Sequence, residues 1–157
     1  MTIGQILALV GVGIAVILSG MGSSKGVGLA GETAAGVSSE NPEVSSKLLV
    51  LQLLPATQGI YGFLVGIIVL INTGVLGGAM KAVSLEQGIA YIIACLTIGV
   101  VGYYSAIRQA RVASAGMLMT GQRPEMSGKG VTMAVMVETY AVFALLVSFL
   151  MVNAIKL

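Results

Sequence analysis

The sequence contains no Trp, His or Asp and has one cysteine, Cys95. A single cysteine excludes an internal disulfide, and the lack of His with it argues against zinc, haem and iron–sulfur sites. Charged residues make up 9% of the chain, whereas a soluble domain averages about 25%. The net charge of +2 is too small to indicate nucleic-acid binding. The chain therefore lacks both the surface of a soluble protein and the ligands of common metal centres.

Hydrophobic residues, at 57% of the chain, are concentrated in four long runs. A membrane-spanning helix needs about 20 mainly apolar residues. The runs that meet this length are Thr2–Ser24, Leu48–Met80, Gln87–Ile107 and Gly130–Ile155. The first run does not begin with the basic residues of a signal peptide, so we expect it to remain as a helix. The sequence thus predicts an all-α membrane protein with four transmembrane helices.

The positions of Lys and Arg predict the orientation. The loops after the first and third runs carry six of them: Lys25, Lys47, Arg108, Arg111, Arg123 and Lys129. The opposite side has two, Lys81 and Lys156. Because basic loops tend to stay in the cytoplasm, we expect a multi-pass protein of the cell membrane with cytoplasmic hairpin loops and both termini outside.

Glu138 is the one charged residue within the four runs. An ionised side chain at the middle of a membrane helix costs roughly 2.5–3.5 kcal/mol on insertion scales. Such a group usually faces a partner, a cavity or an ion path. The sequence therefore identifies Glu138 as the first candidate for function.

Polar residues also cluster around Pro55 in the second run. Proline removes a backbone donor and disturbs the carbonyl four residues back, so a kink with under-bonded carbonyls is expected just before Thr57 and Gln58. Leu54, Thr57 and Gln58 share one helix face, which Tyr61 continues. The simpler alternative is a packing kink with Thr57 bonded back to its own helix. A proline, a threonine and a glutamine on one turn favour a polar site.

The second half of the chain repeats the first. A shift of 86 residues matches the first and third runs, and after a four-residue gap a shift of 82 matches the second and fourth. The matched pairs include Ile6 with Ile92, Gly13 with Gly99, Ser19 with Ser105, Lys25 with Arg111, Pro42 with Pro124 and Thr57 with Thr139. We therefore predict two helical hairpins in parallel orientation, residues 1–80 and 81–157. Only the second hairpin carries the carboxylate, since Glu138 matches Ala56.

The polar groups singled out above are Glu138, Gln58, Thr57 and a carbonyl near Pro55. All of them offer oxygen ligands, which hard cations prefer. One carboxylate with neutral oxygens suits a monovalent cation, because a divalent ion would leave an uncompensated charge in a low dielectric. A proton is the competing occupant. A protonated carboxyl would need only one acceptor, so the surplus of polar groups favours sodium or lithium.

Three segments give the chain a family resemblance. SGMGSSKGVGLAGE, LQLLPATQGIYGF and MVETYA occur in this order in the first, second and fourth runs. With them the whole chain resembles the four-helix proteolipid, the rotor-ring subunit of V-type rotary ATPases, and it is most similar to the bacterial sodium-pumping branch. The resemblance implies a non-catalytic, ion-translocating subunit of an ATP-hydrolysing complex.

The resemblance also implies a sodium site. In that branch the ion is held by a leucine carbonyl, a threonine, two glutamines and a glutamate, which fall here on Leu54, Thr57, Gln58, Gln109 and Glu138. A tyrosine that bonds the glutamate falls on Tyr61. Taken alone, Gln109 lies between two arginines and is typical of a solvated helix end, so the resemblance alone selects it.

The partners implied by the resemblance are copies of the same chain in a homo-oligomeric ring, a stator membrane subunit with an essential arginine, a central-stalk subunit at the cytoplasmic loops, and lipid. No organic cofactor is expected. Two alternatives remain open: the same rotor role with protons as the coupling ion, or a small ion channel or exchanger that works without a motor.

Overall fold

The computed structural model describes all 157 residues, Met1–Leu157, and it is helical with no strand. Its helices are α1 (Ile3–Glu40), α2 (Ser45–Leu53), α3 (Thr57–Asn72), α4 (Leu85–Gln122) and α5 (Ser127–Ala154). Short 3-10 turns lie at Pro42–Val44, Leu54–Ala56 and Pro124–Met126. With these turns the helices form four spans long and apolar enough to cross a membrane. The predicted all-α membrane fold is confirmed.

Helices α1 and α4 continue well beyond the apolar runs that predicted them. The runs end at Ser24 and Ile107, whereas the helices end at Glu40 and Gln122. No proline interrupts either segment, and the next prolines open the 3-10 turns that follow. Alanines of the two extensions pack in a shared core with the second and fourth spans. The apolar run therefore marks the membrane segment and not the end of the helix.

Helices α1 and α4 run parallel and lie very close together. A Cβ added at Gly22 would lie 2.5 Å from the Cα of Tyr103, and one added at Gly26 would lie 2.9 Å from the carbonyl oxygen of Ala106. Only glycine allows this approach, and close backbone packing is what holds helices together in lipid. The pair α1–α4 forms one layer of the bundle, and α3 and α5 pack against it.

The outer faces of α3 and α5 are apolar and exposed. Large side chains left largely uncovered there include Ile60, Phe63, Met136, Phe143 and Leu150. In a chain whose spans match the bilayer in length, such a surface is suited to contact with lipid.

The structure corrects the register of the internal repeat. Helices α1 and α4 begin at Ile3 and Leu85 and end at Glu40 and Gln122, an offset of 82 at both ends. The predicted offset of 86 residues is therefore wrong, because it does not pair residues that lie at the same height along α1 and α4. The difference of four residues is close to one helical turn, so a slipped alignment keeps the same helix face and its pattern of small residues. At the offset of 82, Ser105 is level with Ser23.

Both hairpins begin with the same local structure. Thr2 and Ser84 cap α1 and α4, and each exchanges hydrogen bonds with a glutamine three residues later, Gln5 and Gln87. The predicted boundary at residues 80 and 81 falls in the connection between α3 and α4. The division of the chain into units 1–80 and 81–157 stays a prediction.

Candidate ion-binding site

Pro55 interrupts the second span at the depth of the site. The chain leaves the α-helical pattern at the 3-10 turn Leu54–Ala56 and resumes it at Thr57. Proline has no N–H to offer the preceding turn, which accounts for the interruption. The break separates α2 from α3 and places polar side chains at the first turn of α3.

The carboxylate of Glu138 lies between the two hairpins. Glu138 is 9% exposed, and both of its oxygens accept hydrogen bonds from neutral donors. The Tyr61 hydroxyl donates to Oε1 at 2.5 Å, and the Gln109 amide donates to Oε2 at 3.1 Å. Neither donor is a cationic side chain, so these contacts position the carboxyl group without supplying a counter-charge.

Two fully buried glutamines connect this carboxylate to the first hairpin. Nε2 of Gln58 donates to Oε1 of Gln109 at 2.7 Å, and Gln109 in turn donates to Glu138. Both glutamines are 0% exposed. Gln109 is therefore not a solvated helix end, because Arg108 and Arg111 on either side point to exposed faces while Gln109 faces the core.

Thr57 bonds back to its own helix, as the simpler alternative anticipated. Its hydroxyl donates to the Leu54 carbonyl at 3.0 Å, and the same carbonyl accepts the backbone N–H of Thr57. The prediction of an under-bonded carbonyl is thus wrong for Leu54. The threonine oxygen also lies 3.3 Å from Oε1 of Gln58, so it remains part of the polar cluster.

Sequence reasoning missed Ser105, which is buried on the same face of α4 as Gln109. Its hydroxyl accepts a hydrogen bond from Nε2 of Gln58 at 3.3 Å and donates to the Val137 carbonyl at 3.2 Å. The i, i+4 spacing of Ser105 and Gln109 in an apolar helix was the available signal. Ser23, its equivalent in α1, accepts the backbone N–H of Gly59 at 2.7 Å.

The cluster contains oxygens of the kind that hard cations prefer. Nε2 of Gln58 donates to Gln109, and Nε2 of Gln109 donates to Glu138. Oε1 of Gln58 therefore has one hydrogen-bond contact, the long one of 3.3 Å to the Thr57 hydroxyl. An oxygen with free lone pairs, on a residue linked through Gln109 to a buried carboxylate, suits a hard monovalent ion. The structure brings Gln58, Gln109, Glu138 and Tyr61 into one network, with Thr57 and Leu54 at its edge.

Comparisons with known proteins show the family of the chain. The model of a family described as the C subunit of ATP synthase matches residues 10–69 and 92–151, two segments again offset by 82. The V-type sodium ATPase subunit K of Enterococcus hirae is 42% identical over 149 residues, 95% of this chain and 92% of that protein. The A-type ATP synthase subunit K of Methanocaldococcus jannaschii is 38% identical over 147 residues, 93% of this chain and 61% of that protein. This chain belongs to the family of ATP synthase C subunits.

Proposed function

We propose that this chain is the sodium-carrying rotor-ring subunit of a V-type ATPase. The observation that carries the proposal is the buried carboxylate of Glu138, held by neutral donors inside a helix long enough to cross a membrane. The similarity to the Enterococcus hirae sodium ATPase subunit supports the same function and the same ion. Identical copies form a closed ring in the membrane, and the chain itself carries out no ATP hydrolysis.

The proposed ligands are oxygens from three helices. Glu138 supplies the negative charge, Oε1 of Gln58 and Oε1 of Gln109 supply neutral oxygens, and Thr57 and Leu54 complete the set at the proline turn. The bond from Thr57 to Leu54 leaves lone pairs on the threonine oxygen free for the ion. Tyr61 does not bind the ion and instead holds the carboxylate in place.

Transport follows from the charge of the site. With sodium bound, the carboxylate is neutralised, so the helix can move through lipid at low electrostatic cost. An arginine on a stator subunit favours the bare carboxylate by charge attraction and thereby releases the ion. Rotation driven by ATP then carries each ion against the membrane potential, which opposes an outward-moving cation by about 2.3 kcal/mol per 100 mV.

The proposed orientation places the loops at Asn41 and Arg123 in the cytoplasm and both termini outside. The excess of Lys and Arg on the loop side supports this orientation. A central-stalk subunit would then meet the ring at these loops. Two alternatives have to be distinguished from this proposal. One is the same rotor with protons as the coupling ion, and the other is ion transport by the chain without a motor.

Carbodiimide labelling of the purified ring tests the proposal. The reagent should modify Glu138, and sodium at neutral pH should protect it, because a bound cation blocks the carboxyl oxygens. Glu138→Gln should abolish the labelling, whereas Glu125→Gln, at an exposed position in the loop, should leave it unchanged. Labelling that is equal with and without sodium contradicts a sodium site. Sodium transport by the chain alone in liposomes would instead select the channel.

A further inference from the structure

Ser23 of α1 lies against the first turn of α3. Its hydroxyl oxygen accepts the backbone N–H of Gly59 at 2.7 Å, and Ser23 is 7% exposed. Helix α3 begins at Thr57, so Gly59 belongs to the first turn, whose N–H groups have no carbonyl of the same helix to bond. Ser23 therefore gives a partner to a backbone donor that α3 does not satisfy by itself.

Helix α3 has no side-chain cap of its own. Its N-cap residue, Ala56, has φ −77° and ψ −23°, which are right-handed helical angles. A residue that caps a helix with its own side chain adopts extended angles, as Thr2 does with φ −75° and ψ 160° and Ser84 with φ −72° and ψ 165°. Because the 3-10 turn at Pro55 leads into α3 with helical angles, the cap comes from another helix, through Ser23.

Glycine at position 59 permits this contact. A Cβ added there would lie 3.1 Å from both Cβ and Oγ of Ser23. Gly62, about one turn further along α3, packs as closely, since an added Cβ would lie 2.5 Å from the Ala15 carbonyl oxygen. Such close approach of backbones holds helices together in lipid, and Ser23 adds a hydrogen bond across it.

The equivalent serine of the second hairpin bonds in the opposite direction. Ser105, 82 residues after Ser23, donates its hydroxyl to the Val137 carbonyl at 3.2 Å. Helix α5 passes this level as one continuous α-helix, so its N–H groups there are bonded within the helix. The acceptor role of Ser23 therefore occurs in the hairpin whose second span is broken at Pro55.

We propose that Ser23 is a positioning residue for the ion site, because it caps α3 and thereby fixes the turn that carries Gln58. The inference rests on the proposed sodium site and adds to it a residue that does not touch the ion. Thr57, Gln58 and Tyr61 all lie in the first five residues of α3. A contact that holds the start of this helix therefore acts on three of the proposed site residues together.

The loss of the Ser23 hydroxyl would leave the Gly59 N–H without a partner, because the membrane interior supplies no water. In a continuous α-helix this N–H bonds the carbonyl four residues back, here that of Pro55. Forming that bond would replace the 3-10 turn by α-helix and rotate the side chain of Gln58 relative to Gln109. Sodium binding would then include the free energy of restoring the turn, so the affinity would fall.

Sodium titration of the purified ring tests the positioning role. Ser23→Ala should weaken sodium binding by about 3- to 10-fold, since alanine cannot cap a helix. Ser23→Thr keeps the hydroxyl and should bind sodium within about 2-fold of the wild type, because threonine is also a good cap. Ser19→Ala is the matched control. Ser19 is fully buried on the same helix, but its hydroxyl donates to the Ala15 carbonyl of that helix, so this variant should bind sodium normally.

Hydrogen–deuterium exchange at the Gly59 amide gives a second readout of the cap. Exchange should be faster in Ser23→Ala than in the wild type and unchanged in Ser19→Ala. Normal sodium affinity in Ser23→Ala overturns the positioning role and leaves the sodium site standing. Equal losses of affinity in Ser23→Ala, Ser23→Thr and Ser19→Ala would show a packing effect and overturn it as well. A wild-type ring that binds no sodium overturns the proposed function together with this role.

Discussion

The side chains of Gln58 and Gln109 are joined by a 2.7 Å hydrogen bond that connects the first hairpin to the second. Gln58 follows the proline turn of the second span, and Gln109 belongs to the third span. Because Gln109 also donates to Glu138, the position of the carboxylate depends on both halves of the chain. Neither hairpin alone contains the proposed site.

Replacing Gln109 by methionine should weaken sodium binding by about 10- to 100-fold. The change keeps the length of the side chain but removes a hydrogen bond to a charged group, which is worth about 1.5–3 kcal/mol. Isothermal titration of the purified ring with sodium measures the effect. Gln122→Met, at the exposed end of the same helix, is the matched control and should bind sodium normally. Equal affinities in the two variants would remove Gln109 from the site.

Tyr61→Phe should raise the sodium concentration that protects Glu138 from carbodiimide by about 10-fold or more. The change deletes the hydroxyl that donates to Oε1 of Glu138, a bond to a charged group worth about 1.5–3 kcal/mol. Tyr140→Phe removes an exposed hydroxyl and should leave the protection curve in place. Protection of Tyr61→Phe at the wild-type concentration would show that the hydroxyl does not hold the carboxylate.

Ser105→Ala should reduce sodium affinity by about 2- to 10-fold. Ser105 holds the amide of Gln58 through a neutral hydrogen bond, which is worth about 0.5–1.5 kcal/mol. Ser114→Ala on the same helix removes a hydroxyl bonded to Thr33, away from the site, and should not change the affinity. If both serine variants bind sodium equally well, Ser105 has no positioning role.

Sodium should raise the thermal stability of the ring, and potassium should raise it less. A ligand that binds only the folded state stabilises it by about 2.7 kcal/mol at 100 times its Kd. The melting temperature in detergent, followed by the helical circular-dichroism signal, should therefore rise with sodium concentration. Glu138→Gln should melt at one temperature throughout the titration. A wild-type ring that responds to pH but not to sodium would support the proton alternative.

Gly22→Ala should lower the melting temperature, because its Cβ would lie 2.5 Å from the Cα of Tyr103, a backbone atom that cannot give way. Overpacking of this kind typically costs about 1–3 kcal/mol. Gly36→Ala in the same helix meets nothing within 4 Å and should be neutral or slightly stabilising, since alanine favours helices over glycine. Equal losses at both positions would contradict the close approach of α1 and α4.

Much of the fold could be predicted from the sequence because apolar runs of membrane length have few alternatives. The four spans and the break at Pro55 follow from run length and proline chemistry. The ends of α1 and α4 did not follow, since their extensions are held by packing between distant segments. The repeat offset between α1 and α4 was also predicted wrongly, because an alignment shifted by about one turn keeps the same helix face.

The candidate site was predictable in part. Glu138 stands out as a charge in an apolar run, and Thr57 and Gln58 stand out through Pro55. Gln109 was selected only by the family resemblance, because its neighbours in sequence are arginines and its burial depends on contacts with α3 and α5. Ser105 was missed because a lone serine in a membrane helix usually bonds to its own backbone.

The 38-residue length of α1 and α4 bears on mechanical coupling. At 1.5 Å per residue each helix is about 57 Å long, nearly twice the hydrocarbon thickness of about 30 Å. The two helices therefore extend beyond the hydrocarbon layer as a stiff pair. This extension is packed through Ala30, Ala34 and Ala113, and the Thr33 hydroxyl donates a hydrogen bond to Ser114. Neither helix contains a proline, so a torque applied to the extended ends would be transmitted along continuous helices to the level of Gln109.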